Sequence, residues 1–97
     1  MLFDPVDPTR IGSLDTLLQC RVNGEIYRFA GAATQARFRR DPVRWCGILR
    51  DPVSGERFFP DRFSPRLDTR ESPYFFAGDS TRDAFRRSPE RYAIHRR

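Results

Sequence analysis

The sequence predicts an α+β fold made of two similar small units, and three observations support this prediction. One block of the sequence occurs twice at a spacing of 47 residues, as Tyr27–Trp45 and again as Tyr74–Tyr92. The dipeptide Asn23-Gly24 precedes the first copy and favours a two-residue hairpin turn. Each copy then continues into a short helical segment that a proline step interrupts. A β-hairpin followed by a helix is therefore predicted in each half of the chain.

The spacing of the repeat holds without a gap and extends beyond the block. Identical pairs within the block are Tyr27/Tyr74, Phe29/Phe76, Ala30/Ala77, Gly31/Gly78, Thr34/Thr81, Phe38/Phe85, Arg39/Arg86, Arg40/Arg87, Pro42/Pro89 and Arg44/Arg91. Upstream, Asp4-Pro5-Val6 corresponds to Asp51-Pro52-Val53. We therefore divide the chain into units 1–47 and 48–97. A unit of this size is close to the lower limit for an independent core. We expect the two units to form one compact pseudo-twofold domain with a shared aromatic core of Tyr27, Phe29, Phe38, Trp45, Leu67, Phe76, Phe85 and Tyr92.

In the first unit the elements follow from local signals. Leu14–Val22 is predicted as a short helical turn followed by a strand, and Glu25–Phe29 as the returning strand. Ala32–Arg40 contains good helix formers and predicts a helix of about two turns. Asp41-Pro42 then ends this helix and begins another turn, with Asp as N-cap and Pro at the first helical position.

The second unit follows the same plan. Candidate strands are Phe63–Leu67 and Tyr74–Ala77. Ser80–Arg87 is predicted as the helix, and Ser88-Pro89 as the point where it stops and a last turn begins.

The charge allows several kinds of partner. The chain has 18 basic and 13 acidic residues, a net charge of +5, and every basic residue is Arg. This balance permits contact with nucleic acid, anionic lipid or an acidic protein. The arginines alternate with Asp and Glu, which favours a solvated basic face. Arginines at the predicted helix ends are candidate phosphate contacts, or else they complement the helix dipole and cover aromatic rings; they are Arg39, Arg40, Arg44, Arg86, Arg87 and Arg91.

Several short motifs together resemble a known family. In the second unit they are Asp51-Pro52-Val53-Ser54-Gly55, Tyr74-Phe75-Phe76, Phe85 and Ser88-Pro89-Glu90-Arg91-Tyr92. This pattern resembles the YHS domain, a relative of the TRASH-type metal-binding knuckles. It extends to the first unit through Gly24–Phe29, Phe38 and Asp41–Trp45. The resemblance implies small zinc-finger-like units of a kind found in heavy-metal handling, copper transport and sensing, and accessory modules.

The resemblance also identifies positions where metal-binding relatives carry cysteines. One cysteine follows Asp-Pro-Val, a second ends the Tyr-Phe-Phe strand, and a third lies four residues later. Here these former-ligand positions hold Asp7, Ala30 and Thr34 in the first unit and Ser54, Ala77 and Thr81 in the second. Zinc and copper prefer thiolate or imidazole ligands. The resemblance therefore implies a filled site that keeps its shape, and we expect no metal cofactor.

Zinc or copper remains the alternative, through other residues. Cys20, Cys46 and His95 are suitable ligands, although no two of them have a chelating spacing. Two cysteines are too few for a disulfide framework. Catalysis is not expected, because the sequence has no evident nucleophile paired with a base and no glycine-rich phosphate loop.

The predicted function is a non-catalytic YHS-like binding or accessory module that acts through protein contacts. One alternative is a heavy-metal protein that uses Cys20 and Cys46, and another is an arginine-rich nucleic-acid-binding module. The first residues lack a signal-peptide apolar region, and no apolar run is long enough to span a membrane. We therefore expect a cytoplasmic protein without membrane contact.

Overall fold

The computed structural model describes residues 3–70 and 72–93. Within these ranges the chain forms four short helices and three two-stranded antiparallel sheets, joined by loops. The chain is therefore α+β, as predicted. A single 3₁₀ turn, Thr16–Leu18, precedes the first of these strands. In chain order the elements are β1 (Gln19–Val22), β2 (Glu25–Arg28), α1 (Ala32–Arg40), α2 (Pro42–Trp45), β3 (Leu49–Arg50), β4 (Arg57–Phe58), β5 (Arg66–Asp68), β6 (Pro73–Phe75), α3 (Asp79–Arg87) and α4 (Pro89–Tyr92).

The hairpin between β1 and β2 forms where the sequence predicted it. Val22 faces Glu25 across the turn, and the two residues between them have positive φ, 51° at Asn23 and 77° at Gly24. Positive φ at both central positions is the geometry of a type I′ turn, whose twist matches that of the flanking strands.

The helices begin and end at local signals. Gly31, with extended backbone, precedes α1, and Pro42 occupies the first turn of α2. The predicted N-cap role of Asp41 is wrong in one respect, because its side chain makes no capping hydrogen bond. Its main-chain carbonyl instead accepts from the N–H of Arg44 at 3.2 Å. Backbone geometry and proline, without side-chain capping, therefore restart the helix.

Corresponding elements lie at the spacing of the repeat. Helix α3 (Asp79–Arg87) and helix α1 (Ala32–Arg40) differ by 47 residues at both ends. The same difference separates α4 (Pro89–Tyr92) from α2 (Pro42–Trp45). Strands β5 and β6 are each one residue shorter than β1 and β2.

The predicted single core is corrected, because the aromatic rings separate into two clusters. Each nine-residue helix packs its Phe onto its own hairpin. Phe38 lies 5.0 Å from both Tyr27 and Phe29, while Phe85 lies 4.8 Å from Tyr74 and 5.4 Å from Phe76, all between ring centroids. The other predicted core members are partly buried against these clusters: Tyr27 and Trp45 at the first, Leu67 and Tyr92 at the second.

Apolar packing and hydrogen bonds connect the halves. Leu49 and Phe58, from the second unit, pack in the first cluster. On β6 successive side chains point to opposite faces, so Phe75 joins the first cluster while its neighbour Tyr74 belongs to the second. Asn23, at the tip of the first hairpin, is 2% exposed. Its Nδ2 donates to the carbonyls of Phe75 (2.9 Å) and Arg50 (3.0 Å), and its Oδ1 accepts from the Phe75 N–H (2.7 Å). The hydrogen bonds of Asn23 and the apolar side chains of Phe75, Leu49 and Phe58 therefore join the halves.

Candidate functional site

The carboxylate of Asp4 is fully buried and accepts four hydrogen bonds. Its Oδ1 accepts from the main-chain N–H groups of Val6 (2.8 Å) and Asp7 (3.2 Å). Its Oδ2 accepts from the N–H of Ala30 (2.9 Å) and the hydroxyl of Thr34 (2.5 Å). This group of residues, the Asp4 centre, ties the N-terminal turn to the end of the first hairpin and the first turn of α1.

Asp51 repeats the arrangement in the second half. It is also fully buried, and its Oδ1 accepts from the N–H groups of Val53 (2.8 Å) and Ser54 (3.2 Å). Its Oδ2 accepts from the N–H of Ala77 (2.9 Å) and the hydroxyl of Thr81 (2.6 Å). We call these residues the Asp51 centre. The six former-ligand positions thus come together in two groups of three, each around one buried carboxylate.

These side chains do not fit a thiolate-type metal site. The Asp7 carboxylate accepts from the N–H and hydroxyl of Thr9, and the Ser54 hydroxyl accepts from the N–H of Glu56. The Thr34 hydroxyl, besides its contact with the carboxylate, lies 3.1 Å from the carbonyl of Gly31. Soft thiolate donors, which zinc and copper favour, are absent from both centres.

Hydrogen bonding holds Asp4 in its charged form. Burial raises the pKa of this carboxyl, but donors that favour the anion outweigh burial and leave the pKa below its usual value. The donors are the Thr34 hydroxyl and the N–H groups of Ala30, Val6 and Asp7. The ionised carboxylate is therefore part of the folded structure at neutral pH.

The two cysteines are free thiols in different environments. Cys46 is buried and its Sγ lies 3.6 Å from the carbonyl of Gly47. Burial raises the pKa of the Cys46 thiol to about 11, so it is protonated at neutral pH. Cys20 is half-buried on β1, opposite Tyr27. His95 lies outside the described residues, among which no three His, Cys, Asp or Glu side chains form a group suited to a metal ion.

The six candidate arginines are all exposed, but they differ in what they contact. The guanidinium of Arg44 lies 4.8 Å from the ring centroid of Trp45, and Arg37 lies 5.3 Å from the same ring. Arg91 lies 5.5 Å from the ring of Tyr92. Packing on an adjacent aromatic ring therefore explains the positions of Arg44 and Arg91.

Arg39 lines an open groove of about 430 Å³ between the two halves, which we call the arginine groove. Strand β1 and the end of α1 form one side, and β5 and β6 contribute Arg66 and Pro73 on the other. Its guanidinium groups belong to Arg21, Arg39 and Arg66, and no Asp or Glu is among the described residues that line it. The groove is thus a cationic depression at the junction of the halves.

Sequence reasoning missed the two buried carboxylates and the groove. It used Asp4 and Asp51 only as part of the repeated Asp-Pro-Val and assigned to neither carboxylate a role beyond its own turn. The signal was present in the sequence, because Asp4/Asp51 and Thr34/Thr81 are identical pairs at the repeat spacing. The groove had no such signal, since residues distant in sequence form it.

Comparisons with protein-family models, with curated proteins and with solved structures found no match. Within the described ranges, no helix has the length and apolar character needed to cross a bilayer.

Proposed function

We propose that this chain is a non-catalytic binding module made of two tandem YHS-like units, 1–47 and 48–97, which has lost the metal site and acts through protein contacts. The convergence of the six former-ligand positions on two buried carboxylates supports this proposal. Each carboxylate already accepts four protein hydrogen bonds. The shape of a small metal-type knuckle is then maintained by an internal anion and its donors.

Surface chemistry supports the protein-contact part of the proposal. The arginine groove has the volume of a small ligand site. Large apolar side chains also remain solvent-exposed and are available to a protein partner; they are Phe3, Ile11, Leu14, Leu17, Ile48, Phe59 and Phe63.

Two measurements test the proposal. Elemental analysis of protein purified without chelators should find far less than one zinc or copper ion per chain, and a stoichiometric ion would overturn the loss of the metal site. For binding, a photo-crosslinking residue is placed at Arg39 and, in a matched variant, at Arg86, its counterpart at the repeat spacing. A partner that crosslinks from one or more such surface positions should, once purified, bind the purified chain at high salt. Further variants place the crosslinking residue at Leu17 and at Phe63. If no crosslinked protein from any of these four positions binds the purified chain, the binding function is refuted.

A further inference from the structure

We infer that the arginine groove binds an acidic peptide segment that carries an apolar side chain. This inference rests on the proposed function and adds the chemical class of the partner.

The charge of the groove favours an anion. Its lining includes three guanidinium groups and no carboxylate. Arg66 pairs with Asp68 outside the lining, with Nε and Oδ1 2.8 Å apart, and its guanidinium lies 5.2 Å from the Phe75 ring. Arg39 makes no ion pair with any described residue. A carboxylate that enters the groove would therefore meet Arg39, which has no ionic partner among the described residues, and Arg66, which Asp68 holds in place.

A neighbouring depression shows that this charge pattern is local. It is lined by Arg40, Arg62 and Arg66, but also by Asp41 and Asp61, so most of its positive charge is offset. The two depressions share Pro42 and Arg66 at their border. The arginine groove has three arginines and no carboxylate in its lining, so it has the larger excess of positive charge of the two.

The groove also has apolar walls. Cys20, Pro42 and Pro73 lie along it, while Val22 and Phe38 close its floor at 1% exposure each. Its volume is at the lower end of the range of about 300–1,000 Å³ typical of ligand pockets. This space suits one apolar side chain with charged neighbours.

Peptide fits these features better than nucleic acid. Single-stranded nucleic acid binds on exposed aromatic rings, and the ring that reaches this groove, Phe38, is buried. A phosphate backbone also needs cations in a continuous row, whereas the neighbouring residues Arg39 and Arg40 line different depressions. A single carboxylate can accept two hydrogen bonds from one arginine and needs no continuous row of cations.

The test titrates the full ¹⁵N-labelled chain with a capped pentapeptide, Glu-Glu-Leu-Glu-Glu, followed by NMR. Amide signals of Gln19–Val22 and Arg39 should shift together. Replacing an arginine that bonds a carboxylate removes a charge-assisted hydrogen bond, so Arg39→Gln should raise the Kd about tenfold. The matched variant Arg86→Gln, at the same position on α3, should change the Kd by less than about twofold. Peptides with Gln for Glu, or Gly for Leu, should bind more weakly.

Each other outcome overturns the inference. Equal binding of the Gln peptide would show that charge is not recognised. Equal weakening by Arg39→Gln and Arg86→Gln would indicate diffuse attraction to a basic surface. Tighter binding of an oligothymidine at the same amides would replace the peptide by nucleic acid. Absence of groove shifts at about 5 mM peptide would refute this ligand class, while the proposed function would still be decided by crosslinking from the other surface positions.

Discussion

Replacing Asp4 by Asn tests whether the buried carboxylate holds the first half together. The amide can keep its oxygen toward the N–H groups of Val6 and Asp7, where Oδ1 now accepts. Its NH₂ group then replaces the oxygen that faces the N–H of Ala30 and the hydroxyl of Thr34.

The cost follows from these two contacts. The Thr34 hydroxyl can rotate toward the Gly31 carbonyl, 3.1 Å away, and accept from the new amide. The Ala30 N–H cannot move in this way and faces another donor. Loss of one charge-assisted hydrogen bond and one unsatisfied donor together give a destabilisation of about 2–3 kcal/mol at pH 7.

The effect should depend on pH with a definite sign. The pKa of Asp4 in the folded protein lies below its ordinary value of 3.8. Its stabilising contribution is therefore present above about pH 4 and is lost as the pH falls through the folded-state pKa. The difference in free energy of unfolding between wild type and Asp4→Asn should shrink between pH 7 and pH 2.5.

Urea unfolding followed by the fluorescence of Trp45, the single tryptophan, measures this difference. Asp7→Asn is the matched control, because among the described residues the Asp7 side chain accepts from Thr9 alone, and the new amide oxygen can do the same. We expect a change below about 0.5 kcal/mol for that variant. A cost below about 0.5 kcal/mol for Asp4→Asn, or a difference that grows in acid, would refute the reasoning.

Three further predictions concern the contacts that shape the fold. Asn23→Ala removes three hydrogen bonds to backbone groups, two of them buried, and should cost about 2–4 kcal/mol in urea unfolding. Asn23→Gly also lacks these bonds and should cost about as much, although glycine adopts positive φ more easily; full stability of the Gly variant would reject the connecting role. Gly12→Ala should lower the free energy of unfolding by about 1–3 kcal/mol, because the new Cβ would lie 2.7 Å from the Cβ of Arg28. The control Gly31→Ala places its Cβ in open space and should change the free energy of unfolding by less than about 0.5 kcal/mol. Equal effects of the two variants would contradict the steric argument. Iodoacetamide followed by mass spectrometry should modify Cys46 at least about tenfold more slowly than the half-buried thiol on β1, because burial raises its pKa to about 11; equal rates would contradict the burial.

Local signals made the elements predictable. Asn23-Gly24 allows positive φ, so the hairpin lies where predicted. Helix α1 also lies where predicted, because the extended backbone at Gly31 precedes its first residue and Pro42 follows its end. In these places the sequence neighbours themselves determine the backbone.

Long-range contacts were not predictable in the same way. Asp4 reaches Ala30 and Thr34, which lie 26 and 30 residues away. Asn23 bonds to Phe75 across 52 residues. Phe75 packs in the first cluster only because the hairpin tip and β6 dock, which no periodicity indicates. The separation of the aromatic rings into two clusters follows from the same docking.

The hydrogen bonds of Asn23 cover the free edge of strand β6. Strand β6 pairs with β5 on one side only, and an unpaired strand can recruit another chain. Asn23 occupies three groups on the other side, the carbonyls of Pro73 and Phe75 and the N–H of Phe75. Asn23 thereby satisfies backbone groups that a third strand would otherwise pair with. Replacing Asn23 would leave the edge of β6 unpaired and able to associate with another chain. This asparagine therefore limits aggregation as well as joining the halves.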